Sequence, residues 1–362
     1  MRLIITFVPI LLLGTTNFCF ANTETSLSVD VNLYSEPLPI HAFTDNWRGA
    51  PLESGTTAFA QGKMELNQQQ DTLQYGLIWR YDYLLHFTSD TAKLYYQVQN
   101  KLPLDPQSKY NLLIKASFLE SQGFRFGKAW ELNPDWHVTT GITLLRGQHF
   151  LQGNFSGFGQ TNNSNAQQAL DNVNNLQAGI NYYYDKPVLK EKTLGWDPES
   201  PTGYGAAFDM ALSGTITPDI KLDLSIENIG KMWWQKTPNT TYAMTYDINT
   251  LPHFNINGQL SNNRSFTQSL PFQFNSTLTY QPVLQPWSTS ISIYGNQFIK
   301  LMQFNAYHDL WTTKIGLHIE PQSKSLGLSI GGKNYGISYM TDHLNTNQAH
   351  RESLNLYGLY QW

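Results

Sequence analysis

Nine histidines and the carboxylates near them carry most of the reactive chemistry in this 362-residue chain. Three groupings set them side by side: Tyr307-His308-Asp309, Thr341-Asp342-His343 and His350-Arg351-Glu352. An imidazole beside a carboxylate is what general acid–base catalysis requires, and the first two groupings could supply a His and an Asp to a hydrolytic site. Neighbours on an extended strand point to opposite faces, however, so His308 and Asp309 can share a site only at a turn or bulge. The sequence holds no phosphate loop or His-Glu-x-x-His zinc helix. The expectation is therefore no catalytic, cofactor-binding or metal-binding residue, with a hydrolase as the alternative.

A second set of reactive groups is spread along the chain. Lys63, Glu65, Arg80, Asp82, Lys115, Asp209, Lys221, Asp223, Glu227, Lys314 and His318 fall on the polar faces of segments whose other face is apolar. Both signs are present. Such groups either pair with one another and hydrate an interior, or line a solute path and set its selectivity. Mixed sign favours neutral or zwitterionic polar solutes over strong ions. A third cluster runs from Ile226-Glu227-Asn228 to Lys231-Met232-Trp233-Trp234, an aromatic pair beside a cation, read either as an interfacial anchor or as an apolar docking patch for a lipid-like ligand.

The elements that position these residues alternate with a period of two. Leu73, Tyr75, Leu77, Trp79, Tyr81, Tyr83 and Leu85 share one face against Gln74, Gly76, Arg80, Asp82 and His86. The same pattern recurs in Tyr110 to Phe118, Leu222 to Ile226, Phe272 to Tyr280 and Trp311 to Ile319. A soluble sandwich also alternates. Here the polar faces carry few charges and Tyr, Trp and Phe gather near strand ends, as in the aromatic girdles of a membrane barrel. Charged residues are 14% of the chain, below the roughly 25% of soluble domains, while mean hydropathy stays at -0.37. The net charge of -4 offers no basic field for nucleic acid. Short turn signals at Asn133-Pro134-Asp135, Thr217-Pro218-Asp219, Gln281-Pro282 and Pro321-Gln322-Ser323 separate alternating runs, and longer polar stretches lie at 160–175 and 194–203. The first of these, rich in Asn and Gln, reads as an external loop.

Both ends of the chain carry address signals. Met1-Arg2, the apolar Leu3 to Leu13 and the Cys19-Phe20-Ala21 end form a secretory signal peptide, too short to anchor, with cleavage expected after Ala21. Cys19 is the only cysteine, so its removal leaves no disulfide or thiolate metal site. At the other end Leu354, Leu356, Gly358, Tyr360 and Trp362 share one face and the last residue is aromatic. This resembles the C-terminal signal of bacterial outer-membrane β-barrel proteins, and the resemblance implies recognition of the closing strand by the barrel assembly machinery. A terminal strand in lipid must pair with the first, since each unpaired backbone group costs several kcal/mol.

The fold expected is all-β: a closed antiparallel transmembrane β-barrel of about 14 strands, within roughly 12 to 16, with short periplasmic turns and longer external loops. Residues 1–21 are the signal peptide, 22–54 an N-terminal segment that is periplasmic or plugs the lumen, and 55–362 the barrel. The location is integral to the outer membrane of a Gram-negative cell, in contact with the lipid bilayer and with a small-molecule solute. The function expected is a porin-like channel or transporter for small polar or amphiphilic molecules. The alternatives are export, assembly or anchoring of surface material, and an enzyme at the barrel rim.

Overall fold

The computed structural model of the chain describes residues 23–361 apart from 49, 164–171 and 190. The expected signal peptide, Cys19, Trp362 and the centre of the 160–175 stretch lie outside the described residues. The first half of the sheet comprises β1 (Thr23–Ser35), β2 (Thr57–Gln70), β3 (Leu73–Phe87), β4 (Lys109–Asn133), β5 (Trp136–Thr161), β6 (Val173–Tyr184), β7 (Thr202–Thr217) and β8 (Ile220–Asp247). The second comprises β9 (Phe254–Ser269), β10 (Gln273–Tyr280), β11 (Trp287–Asn296), β12 (Lys300–Leu310), β13 (Thr313–Glu320), β14 (Ser325–Gly331), β15 (Tyr335–Thr341) and β16 (Arg351–Gln361).

All neighbours pair antiparallel, and β1 closes the ring on β16 from Glu24↔Gln361 to Tyr34↔Arg351. Sixteen segments make fourteen staves, because two staves are interrupted. β6 lies along residues 151–161 of β5 and β7 along 136–147 of the same strand, with residues 185–201 inserted between them. In the same way β9 and β10 follow one another along β8. The break falls at Leu270-Pro271-Phe272, where Pro271 has no N–H to give the ladder. The chain is thus a closed antiparallel barrel of the outer-membrane type.

The alternation read from sequence sorts the two faces. On β3, Leu77 is 57% exposed while Arg80 is 3% and Asp82 1% exposed, so the apolar face looks outward and the polar face is enclosed. Cross-strand rows carry this around the wall: Leu278 sits opposite Ile291, which sits opposite Phe304 and then Ile319. This row is the lipid-facing band. Rings mark its lower rim, with Tyr280 edge-on to Trp287 at 5.8 Å and the Lys128 ammonium 4.1 Å over Trp130.

Wall height is uneven. β4, β5 and β8 run for 25, 26 and 28 residues, whereas β13, β14 and β15 have 8, 7 and 7. Since about 9 to 11 residues span a bilayer, the β4–β9 side rises well beyond it. Its outer face is covered by local structure. Helix α1 (Ser89–Gln99), capped by Thr88 Oγ1 accepting from Thr91 N at 3.2 Å, lies against β4, where Tyr110 donates to Gln97 Oε1 at 3.2 Å. Asp105, after the helix, is hydrogen-bonded to Lys93, which holds its carboxyl below the usual carboxylate range. Further round, Trp196 donates to the Tyr184 hydroxyl at 2.9 Å and seats the 185–201 insertion.

Three expectations are corrected. The barrel begins at Thr23 and not at 55: Thr23–Ser35 is a full stave, whose lower residues Thr23 and Thr25 lie below the apolar band and so hide the alternation that Leu27, Val29 and Val31 continue. The rest of the 22–54 segment caps the loop end, with Ile40 N donating to Ala349 O at 2.8 Å and Trp47 edge-on to Phe87 at 6.0 Å. Residues 194–203 do not join two neighbouring strands, because they belong mostly to the insertion that interrupts one stave. Pro321-Gln322-Ser323 is a short turn, but it lies at the long-loop end, opposite the turns at 134–135 and 218–219.

The two faces respond differently to charge. Leu278→Lys is expected to cost about 2–4 kcal/mol, the range for a cation at the midplane of a barrel's lipid face. Thr277→Lys, on the inner face beside Ser292 at 3.0 Å, should be mild. Urea titration of protein refolded into lipid vesicles compares the two, and equal costs would mean that both faces are packed alike.

Candidate functional site: a charged, crossed lumen

A bulge and a line of alternating charges bring the inner groups together. On β8 the pairing passes from Phe208↔Ile229 to Met210↔Ile226, so Glu227 and Asn228 together oppose Asp209. Asn228 takes φ 68, a left-handed conformation that Asn tolerates better than most residues. Its N–H donates to Asp209 Oδ1 at 2.9 Å. Because the extra residue breaks the period of two, adjacent side chains both enter the lumen. Glu227 accepts from Lys63 Nζ at 2.8 Å, and Asn228 accepts from Arg80.

Some of the remaining contacts run within a strand or between neighbours, and others connect strands that are not neighbours. Lys63 also lies 3.5 Å from Glu65 on its own strand, and Glu65 accepts from Arg125 of β4 at 3.2 Å. Arg125 Nε lies 3.6 Å from Asp209 on β7. Arg80 donates through Nε to Asp82 at 2.8 Å, and Asp82 takes a second bond from Gln61 Nε2 at 2.8 Å. Gln61 is in turn held by the hydroxyl of Tyr294, which reaches over from β11. Ion pairs away from bulk water are strong when complete and costly when one partner is lost. The middle of the lumen is therefore crossed by side chains held in a mutually dependent set.

Above this set the interior is apolar. Trp234 is 1% exposed, stacks on Phe150 at 4.1 Å, and donates to Gln268 Oε1 at 3.2 Å. A Cβ on Gly147 or Gly203 would meet its indole at 2.2 and 2.3 Å, so only these glycines let the ring lie flat on the inner wall. Ile78, Leu119, Leu145, Ala207, Met232 and Leu270 complete the cluster. A second apolar group, in which Tyr294, Phe298 and Ile299 pack on Phe59, Leu84 and Leu301, turns the β11–β12 connection inward.

Of the sequence-predicted lumen residues, Lys63, Glu65, Arg80, Asp82, Asp209 and Glu227 converge. The others do not join them. His318 is enclosed with Asn305, whose Oδ1 is 2.7 Å from its Nδ1, and Lys314 pairs with Asp309 at 3.6 Å near the short-turn end. Lys221 and Asp223 lie on the inner face by the 218–219 turn, exposed to water, and Lys115 is exposed toward the loop end of β4. Arg125, Gln61 and Asn228 were missed. Arg125 stands between the outward Phe124 and Phe126, a pattern that would have revealed it; the bulge that presents Asn228 has no comparable mark. The Lys231 to Trp234 cluster is split by the alternation of the strand, with Trp233 outward at 50% exposure and Trp234 inside.

The His–carboxylate groupings stay apart. His308 is outward and Asp309 inward on β12, Asp342 accepts the backbone N–H groups of His350 and Arg351 at 3.0 and 2.9 Å, and Arg351 forms a buried fork with Glu320 at 2.8 and 3.2 Å. The pair His149–Asp185, at 2.7 Å, comes from residues that no motif joined. Among the described residues no group of three or more His, Cys, Asp or Glu is placed to hold a metal ion. On β16, Leu354 and Leu356 stand opposite Val31 and Val29, with Gly358 and Tyr360 following on the same face.

No family model and no curated protein matches the chain. Among solved structures it is similar to a TodX deltaS2S3 mutant described as a monoaromatic hydrocarbon channel, at 10% identity and a TM-score of 0.41 over 94% of this chain and 89% of that one. It is also similar to a Pseudomonas aeruginosa FadL homologue, at 8% identity and 0.28 over 94% and 89%. A third similar structure is the outer membrane protease OmpT from Escherichia coli, at 9% identity and 0.22 over 96% and 99%.

Interdependence of the charges has a measurable consequence. Arg80→Ala leaves Asp82 buried without its cation and is expected to cost about 3–5 kcal/mol, whereas Arg80→Leu combined with Asp82→Leu should cost much less. Denaturant unfolding in lipid reads both, and a double variant as unstable as the single one would show that the pair is not the unit.

Proposed function

We propose that the chain is a conduit through the outer membrane for small polar or amphiphilic molecules, closed at rest by its own side chains. The observation that carries this reading is the lumen itself, whose waist is built of charged groups crossing between non-adjacent strands while apolar clusters fill the space above. A barrel held only by its wall has no need of buried charges at such cost. Closure by side chains, rather than by a separate plug domain, lets rotamer changes open a path without unfolding the wall. Mixed charge along that path suits neutral or zwitterionic solutes.

The height of the β4–β9 side favours a second reading, contact with surface material, since so long a wall exposes protein far beyond the bilayer.

The experiment that separates them is electrical. In planar bilayers the wild-type barrel is expected to conduct weakly, and Lys63→Ser with Glu227→Ser, which removes a cross-lumen pair without stranding a charge, should conduct several-fold more and speed liposome swelling by small solutes. A double variant that inserts correctly yet stays as silent as the wild type would defeat the conduit.

A further inference from the structure

Beneath the apolar cluster the charged set encloses a cavity of about 140 Å³. That is close to the roughly 150 Å³ of an engineered cavity that takes up benzene. Its lining is unlike that cavity's. Lys63, Arg80 and Arg125 supply three cations, and Glu65, Asp209 and Glu227 three carboxylates, while Ile78, Leu145 and Ala207 form an apolar wall shared with the cluster above.

Two groups on this lining lack hydrogen-bond partners. Thr143 is 2% exposed, lines the cavity, and its Oγ1 makes no hydrogen bond. Arg125 Nε makes none either, since Asp209 at 3.6 Å is beyond hydrogen-bond reach. Buried polar atoms are nearly always satisfied, so an orphan hydroxyl and an orphan guanidinium N–H on one cavity call for an occupant. The orphan N–H can only donate, and it requires an acceptor from whatever enters.

We propose that this cavity binds a small zwitterion with a short apolar side chain, an aliphatic α-amino acid in chemical class; the inference rests on the reading of the barrel as a solute conduit. The ligand's carboxylate takes the free Arg125 N–H and the Thr143 hydroxyl. Its ammonium faces the carboxylates, whose oxygens have lone pairs beyond those used by Lys63 and Arg125. The side chain meets Ile78, Leu145 and Ala207. The lining presents cations and carboxylates side by side, so a zwitterion finds a partner for each of its charges. A lone anion or cation would engage only one half of that lining.

The test uses the full-length protein refolded in detergent, with folding checked by heat-modifiable gel mobility, and NMR titration with L-alanine, acetate and ethylammonium. L-Alanine should saturate, and the two singly charged fragments should bind at least roughly tenfold more weakly. Thr143→Val keeps shape and removes the hydroxyl, and Arg125→Lys keeps charge and removes the N–H fork. Each should weaken alanine binding severalfold. The assignment is overturned if folded wild type does not take up alanine, which means water alone fills the cavity. It is also overturned if acetate binds as tightly, or if both variants bind as the wild type does. Conductance distinguishes the two readings: alanine binding without conductance in the opened Lys63→Ser/Glu227→Ser barrel sinks the conduit and keeps the site, while conductance without binding does the reverse.

Discussion

Hydrocarbon offers no hydrogen-bond partner to a peptide group, and the ladder between β1 and β16 is where this constraint is met for the chain as a whole. Its partners lie more than three hundred residues apart in sequence, so this pairing can form only when all intervening staves are in place. Each stave is then fixed in register by its neighbours, and register fixes which residues look inward. Where β6 gives way to β7, β5 and β8 on either side keep their ladders almost unbroken, and where β9 gives way to β10, β8 does so on one side while β11 pairs with β10 alone.

Closure of fourteen staves leaves an interior too wide for side chains from adjacent strands to fill alone. Long polar residues span it. Lys63 reaches Glu227, Arg80 reaches Asn228, and Tyr294 reaches Gln61, each across strands that do not pair with each other. Large rings fill the upper part, and the space for them is provided by glycine on the adjoining strands, as with Trp234 over Gly147 and Gly203. Polar waist and apolar upper layer are thus two answers to one geometric demand, and the enclosed cavity lies where they meet.

Much of this was legible in the sequence because lipid enforces a strict alternation. The faces of β3 and β10 and the identity of six converging charges follow from the period of two. Legibility failed wherever that period is broken or masked. The inward placing of Asn228, and which of Trp233 and Trp234 faces the lumen, depend on one extra residue in β8, which composition does not reveal. Thr23–Ser35 was read as lying outside the barrel because its lower end sits where lipid no longer demands apolar residues. Which of the inner charges meet, and which remain in open water as Lys221 and Asp223 do, depends on shear around the ring. No single strand carries that information.

The uneven wall has a consequence for the surrounding bilayer. Paired strands of 7 or 8 residues on the β13–β15 arc, at about 3.3 Å per residue and tilted, rise less than the roughly 25 Å apolar band of a typical barrel. Lipid beside that arc must thin to match it, at fractions of a kcal/mol per Å of mismatch, while lipid beside β4–β9 meets a wall taller than itself. The molecule therefore has a compass bearing within the membrane plane: a soft, compressed flank on one side and an unstrained one on the other.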